Sequence, residues 1–167
     1  MSSYQNNSGG RRPPGPGPGL SLKGRALRFL AQREHSRAEL ERKLAGHAES
    51  PEQLAQVLDE LQAKDFISEA RVVESVINRR AQRFGTTRIR QELMGKGLAV
   101  EAVAEAVSTL KATEVDRARE VWRKKFGEAA TDAAAHGKQM RFLLTRGFSG
   151  DAVHAVLRNA RESDQDS

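Results

Sequence analysis

Residues 89–110, IRQELMGKGLAVEAVAEAVSTL, decide how this chain folds. Ile89, Leu93, Val103, Val107 and Leu110 stand one helical turn or multiples of it apart on either side of Gly97, so the stretch reads as helix, tight turn, helix. The same frame occurs twice more. Counting back 49 residues, Leu40, Leu44, Leu54, Leu58 and Leu61 occupy equivalent places. Counting forward 50, Leu93, Gly97, Leu98, Val103 and Val107 become Leu143, Gly147, Phe148, Val153 and Leu157. Leu- and Ala-rich helices match one another easily, but two successive offsets of nearly equal length that both keep a helix–turn–helix frame indicate a tandem repeat. A unit of roughly 45–50 residues buries little core alone and needs a neighbour against which to stack.

Outward from this centre the boundaries are punctuated. Ser36-Arg37-Ala38-Glu39 has the form of a capping box, and Ser50-Pro51-Glu52-Gln53 repeats it with proline at the first helical position. Thr113-Glu114-Val115-Asp116 is a weaker version, and Ser68 and Ser149 are further candidate caps. Glycines 46, 85, 97, 127 and 147 read as stops or turns. Between these signals Leu54, Val57, Leu58 and Leu61 form an apolar stripe, as do Val73, Val76 and Ile77, and Val153, Val156 and Leu157. Period-2 alternation is absent over any useful length. The fold class is therefore all-α: about nine short helices in three tandem three-helix repeats, forming an elongated, curved helical array. The repeats are expected over 21–67, 68–112 and 113–161. Residues 1–20 are expected to be a disordered tail, because 1–19 hold nine Gly or Pro, and 162–167 a short acidic one.

Among 167 residues there is no cysteine, which removes disulfides, thiolate metal sites and cysteine nucleophiles. Neither a membrane span nor a secretory signal is legible, so a cytoplasmic protein is expected. Histidines 35, 47, 136 and 154 share no ligand spacing; His35 precedes a capping serine and reads as a turn residue. Gly95-Lys96-Gly97 lacks phosphate-loop spacing, and the acids from Asp59 to Glu69 lack the EF-hand pattern. No nucleophile–base pair emerges. We expect no catalysis, no metal and no cofactor.

The net charge of +6 is unevenly spread. Between 71 and 100 seven bases face two acids, whereas between 49 and 69 six acids face Lys64 alone. Such asymmetry suits a surface that meets an anionic partner at one place. The candidate contact residues are Arg79, Arg80, Arg83, Arg88, Arg90 and Lys96, helped by Arg28, Arg33 and Arg37. Arg88 stands four residues before Glu92 and is expected to pair with it. A smaller basic group, Arg117, Arg119, Arg123, Lys124 and Lys125, surrounds Trp122, which reads as a core anchor.

Three segments resemble one known family. Arg33-Glu34-His35-Ser36-Arg37-Ala38-Glu39-Leu40-Glu41-Arg42-Lys43-Leu44 is similar to the first signature of the RecX regulatory proteins. Arg88-Ile89-Arg90-Gln91-Glu92-Leu93-Met94-Gly95-Lys96-Gly97-Leu98 resembles the second, and Arg146-Gly147-Phe148-Ser149 the third-repeat motif. Thr86 and Thr87 stand where the family often has a proline, and Ser68-Glu69 where paired acids are common. The resemblance implies a modulator of RecA recombinase that lodges in the helical groove of the RecA filament on single-stranded DNA. It implies inhibition of strand exchange, ATP hydrolysis and coprotease activity, with a role in recombination, DNA repair and the SOS response. A monomer without membrane association is expected, with weak direct DNA binding as an additional property. The rival reading is a direct DNA binder that uses a helix-turn-helix recognition element, with Arg88, Arg90 and Gln91 near a helix start.

Overall fold

The computed structural model describes residues 19–165. They form α1 (Leu22–Gln32), α2 (Arg37–Leu44), a 3-10 turn (Ala45–His47), α3 (Pro51–Ala63), α4 (Glu69–Arg80) and α5 (Thr86–Gly95). The chain continues through α6 (Val100–Ala112), α7 (Glu114–Lys125), α8 (Ala133–Thr145) and α9 (Gly150–Gln165), with no strand among the described residues. The N-terminal stretch expected to be disordered lies outside the described residues up to position 18, as do positions 166 and 167. The acidic end is a different matter. Glu162–Gln165 continue α9 rather than forming a tail, because no Gly or Pro follows Gly150 to stop the helix.

The helices group by threes around three separate cores. Leu40, Leu44, Leu58 and Leu61 are fully buried in the first, Val76, Ile89 and Leu93 in the second, and Leu143, Val153 and Val156 in the third. Within each group every helix packs on the other two. The stripe predicted on α4 is rotated by one position: Val72 and Val76 are buried, while Val73 and Ile77 pack around the margin. Trp122 anchors the third core and donates its indole N–H to Gln139 Oε1 at 2.9 Å.

Caps hold the helix starts as read from sequence, with one exception. Ser36 and Glu39 complete the reciprocal box on α2. The hydroxyls of Ser50, Ser68 and Ser149 accept from Gln53, Arg71 and Ala152. Thr113 does not cap α7. It is the single residue between α6 and α7, and its hydroxyl donates back to the Leu110 carbonyl and accepts from Arg117 Nε. With no intervening loop, the third repeat follows directly on the second.

Neighbouring repeats meet through a junction used twice. At the first, Ser36 Oγ donates to the Lys96 carbonyl at 2.5 Å and Arg42 donates to the Gly95 carbonyl. At the second, 49 or 50 residues on, the Gly85 amide donates to the Arg146 carbonyl at 2.8 Å and the Thr87 amide to the Gly147 carbonyl at 3.2 Å. In each, the start of a repeat's second helix seats on the turn after the next repeat's second helix. Gly97 and Gly147 occupy those turns with φ of +68° and +87°, which only glycine adopts without strain. Hydrogen bonds and ion pairs between repeats join first to second and second to third, and none joins first to third among the described residues. That is nearest-neighbour architecture.

Candidate anion-binding surface

The candidate cations fall into distinct groups, and their partners decide what each can do. Lys96 is an internal strut. Its ammonium lies 3.0 Å from Glu39 Oε1, and its side chain is 13 % exposed. Glu39, with a side chain 8 % exposed, also takes Arg33 at 2.9 Å and the Ser36 amide at 2.8 Å. Burial raises the Glu39 carboxyl, but donation from Arg33, the Ser36 amide and Lys96 outweighs it and holds the pKa at about 2. Arg33 and Lys96 thus serve the first junction. Arg37 is engaged by Asp59, Glu41 and Gln62, whereas Arg28 lies exposed beside Phe29 in the first repeat.

The second repeat carries a different arrangement. Glu92 pairs with Arg80 at 3.0 Å and, more loosely, with Arg79 at 4.0 Å. The expected Arg88–Glu92 pair does not form. Arg88 turns instead onto the Phe84 ring, with its guanidinium carbon 4.2 Å from the centroid. Arg83 is exposed at the end of α4, and Arg90 points from the opposite side of α5 into a separate groove. The nine candidates therefore do not form one patch.

A file of alternating cations and rings instead crosses the second junction. Beyond Arg88 and Phe84 comes Arg146, 5.6 Å from the Phe84 centroid and 5.0 Å from that of Phe142. Lys125 follows, 5.7 Å from Phe142. Phe126 braces Phe142 edge-on at 5.4 Å. The rings fix the cations by cation–π attraction without neutralising them, since the ring quadrupole carries no net charge. The hollow at the far end is lined by Lys125, Lys138, Arg141 and Arg146, with no carboxylate. Sequence reasoning does not single out Arg146, Lys138, Arg141 or Phe142 for the site. Its available signal is the 50-residue offset, which makes Arg146 the counterpart of Lys96. The two counterparts differ in role because the acid at the second junction comes from another helix.

That acid is Glu114 of α7. It accepts from the Thr86 amide at 3.1 Å, the Ser149 amide at 3.3 Å and the Ser149 hydroxyl at 2.9 Å, leaving Arg146 free of it. Arg117 is also structural. It donates to the carbonyls of Ala81, Phe84 and Leu110, and burial lowers its pKa against the pull of Glu114. His35 stands in the turn between α1 and α2, as its place before the capping serine implies, and it is buried there. Its Nδ1 lies 3.0 Å from the Arg33 carbonyl, its ring is 5.7 Å from Phe29, and Nε2 has no partner.

Among the described residues no group of three or more His, Asp or Glu could hold a metal ion, and no helix is long and apolar enough to cross a membrane. The surface offers fixed positive charge beside aromatic area: it can bind phosphates or acidic side chains.

Comparison with known proteins agrees with the threefold division. Family models described as the first, second and third three-helix domains of RecX match residues 23–61, 68–107 and 112–157. The chain is 56 % identical over 151 residues to the regulatory protein RecX of Leptothrix cholodnii, covering 90 % of this chain and 96 % of that protein. It is 52 % identical over 147 residues to that of Herminiimonas arsenicoxydans, covering 88 % and 97 %. The crystal structure of RecX from Lactobacillus salivarius superimposes with a TM-score of 0.72 at 19 % identity, covering 84 % of this chain and 94 % of that one. On sequence, domain models and fold together, the chain belongs to the RecX family of regulatory proteins.

Proposed function

We propose that this protein binds RecA recombinase assembled on single-stranded DNA and restrains it. As a cytoplasmic monomer it occupies the helical groove of the filament or blocks filament extension, and so inhibits strand exchange, ATP hydrolysis and coprotease activity in recombination, DNA repair and the SOS response. Its membership of the RecX regulatory proteins supports this reading, and RecA is the target that the resemblance implies. The observation that carries it is the file Arg88–Phe84–Arg146–Phe142–Lys125, a linear positive surface spread over two repeats rather than gathered in a pocket. A line of charge matches an extended partner, and a groove lined by protein and phosphodiester offers one. Arg79 and Arg83 extend the positive surface at the end of α4, while Arg28 adds a cation on the first repeat.

The recognition-helix alternative draws less support. Gly85 and Thr86, which start α5, are buried against the α8–α9 turn, so this helix start is not free to enter a duplex groove. The test is a titration of RecA ATPase on poly(dT), with wild type and with Arg79→Glu, Arg83→Glu, Arg88→Glu and Arg90→Glu combined. Wild type is expected to inhibit, and the variant to fail with unchanged helix content. A folded variant that inhibits like wild type removes these arginines from the contact. Wild type that leaves RecA unaffected removes the function.

A further inference from the structure

α5 has a second working face. Thr87, Arg90 and Met94 share one side of it, and Val100, Val103, Val107 and Lys111 share one side of α6. Together they line a groove of 660 Å³ whose far wall is Glu114 and Ser149 of the third repeat. The groove is apolar and open: Val100 is 78 % exposed and Met94 55 %. Val103 and Val107 also serve the second core and form the floor, whereas Met94 and Val100 belong to no core and make no junction contact.

Charge runs along the groove in one direction. Val100 and Met94 stand at the α5–α6 turn, and Lys111 lies eleven residues along α6 from Val100, about 16 Å at 1.5 Å per residue. Arg90 lies a helical turn back from Met94, toward the third repeat. Among the described contacts neither Arg90 nor Lys111 has a carboxylate partner. Glu114, the acid in the wall, is buried and saturated by Thr86 and Ser149. One end is therefore greasy, and the other carries two cations that touch no carboxylate, beside a Glu114 whose oxygens are already taken by Thr86 and Ser149.

We infer that this groove docks a short amphipathic protein segment of the partner, with apolar anchors against Met94 and Val100 and Asp or Glu side chains against Arg90 and Lys111. With no aromatic ring in its lining the groove gives a nucleic-acid strand no stacking platform, whereas helix-in-groove recognition of a peptide uses an apolar floor, and flexible methionine suits it. The chain's own residues 1–18 are excluded by charge, since they bring Arg11 and Arg12 and no acid. The inference rests on the reading of RecA as partner: the file at Arg88 and Arg146 and this groove lie on different sides of α5, and only the groove demands protein.

The experiment places p-benzoylphenylalanine at Val100 in the full chain, binds it to RecA filaments on poly(dT), irradiates, and maps adducts by mass spectrometry. Cosedimentation with the filament is measured alongside. The expected adduct is a RecA segment with an apolar residue at the link and Asp or Glu within about one helical turn. Adducts to DNA, adducts to a segment without acids, or persistent cosedimentation without an adduct each overturn the groove assignment and leave the RecA reading standing. Failure of the wild-type chain to cosediment overturns both. As a second measurement, Met94→Ser with Val100→Ser is expected to weaken filament binding at least tenfold with an unchanged salt slope, because apolar contacts release no counterions. Unchanged affinity overturns the assignment.

Discussion

Replacing Glu39 by glutamine removes the charge that fixes the first repeat on the second. Glu39 stands in the first turn of α2, closes the capping box on Ser36, and holds Arg33 and the nearly buried Lys96. Its fall from an ordinary 4.5 to about 2 is equivalent to about 3–4 kcal/mol of folded-state stability, at roughly 1.4 kcal/mol per pH unit. Because the folded pKa is depressed, that stability is present in full above pH 4.5 and is lost as the pH falls toward 2. Glu39→Gln should therefore cost about 2–3 kcal/mol at pH 7, with Lys96 left beside a neutral amide. With a urea slope of about 1–3 kcal/mol per molar, the unfolding midpoint should drop by about 1 M or more. The assay is urea unfolding followed by circular dichroism between pH 7 and pH 2.5. Other carboxylates titrate in the same range, so the informative quantity is the difference between the two proteins. It should be flat above pH 4.5 and shrink toward zero near pH 2. A difference that stays constant down to pH 2.5 refutes the reasoning, because the variant would then be acting through packing and not through ionised Glu39.

Three further outcomes are expected. Gly85→Ala places a Cβ 2.2 Å from backbone atoms of Gly147 and Phe148, which cannot swing aside as a side chain would. The second junction should separate at a cost of about 1–3 kcal/mol or more, read as a lowered thermal midpoint, and a neutral substitution would contradict the geometry. Arg146→Glu combined with Arg88→Glu should lower affinity for RecA on poly(dT). It should also reduce the slope of log affinity against log salt by about 0.7 for each strand phosphate no longer contacted, and an unaltered slope would mean that the file touches no phosphate. His35 has its pKa lowered from 6.5, chiefly by burial and partly offset by the Arg33 carbonyl. The unfolded chain therefore takes the proton first, and stability should fall as the pH drops below 6.5. His35→Phe, which keeps a ring beside Phe29, should remove the loss between pH 6.5 and 5.5, above the Glu39 window, as measured by unfolding free energies.

The fold was legible because it rests on short-range signals. Ser36, Ser50 and Ser68 cap the helices that their spacing announces, and Gly97 and Gly147 end helices at positive φ as the repeat offset implies. The surface was legible only as a charge count. Which cation is free depends on a partner far away in sequence: Lys96 is neutralised by Glu39, 57 residues earlier, and Arg80 rather than Arg88 captures Glu92. The file across the second junction needs Phe84 and Phe142, from different repeats, to be neighbours. No helical periodicity encodes that distance. Thr113 shows the opposite failure, where a local capping pattern yields to the near-continuous run of α6 into α7.

The two junctions explain why the positive file lies where it does. Both seat a helix start on a glycine turn, through the Ser36 hydroxyl at the first and the Gly85 amide at the second, yet they place their acid differently. At the first, the acid is Glu39 on the seated helix itself, and it reaches across to Lys96 on the turn. At the second, the equivalent helix has Arg88 three residues after its cap, where Ser36 is followed by Glu39, and Glu114 of the linking helix satisfies the amides from below. The turn cation Arg146 then shares the Phe84 ring with Arg88 without a carboxylate between them, and Phe142 holds Arg146 from its other side. A single change of residue type at one repeat position, acid in the first and arginine in the second, thus turns a neutralised joint into an exposed cationic one. Restoring the acid with Arg88→Glu should recreate the first junction's pairing at the second, stabilising the array while abolishing its positive file. Stability and filament binding should move in opposite directions in that single variant. A protein that lost both together would show that Arg88 supports the fold rather than the partner.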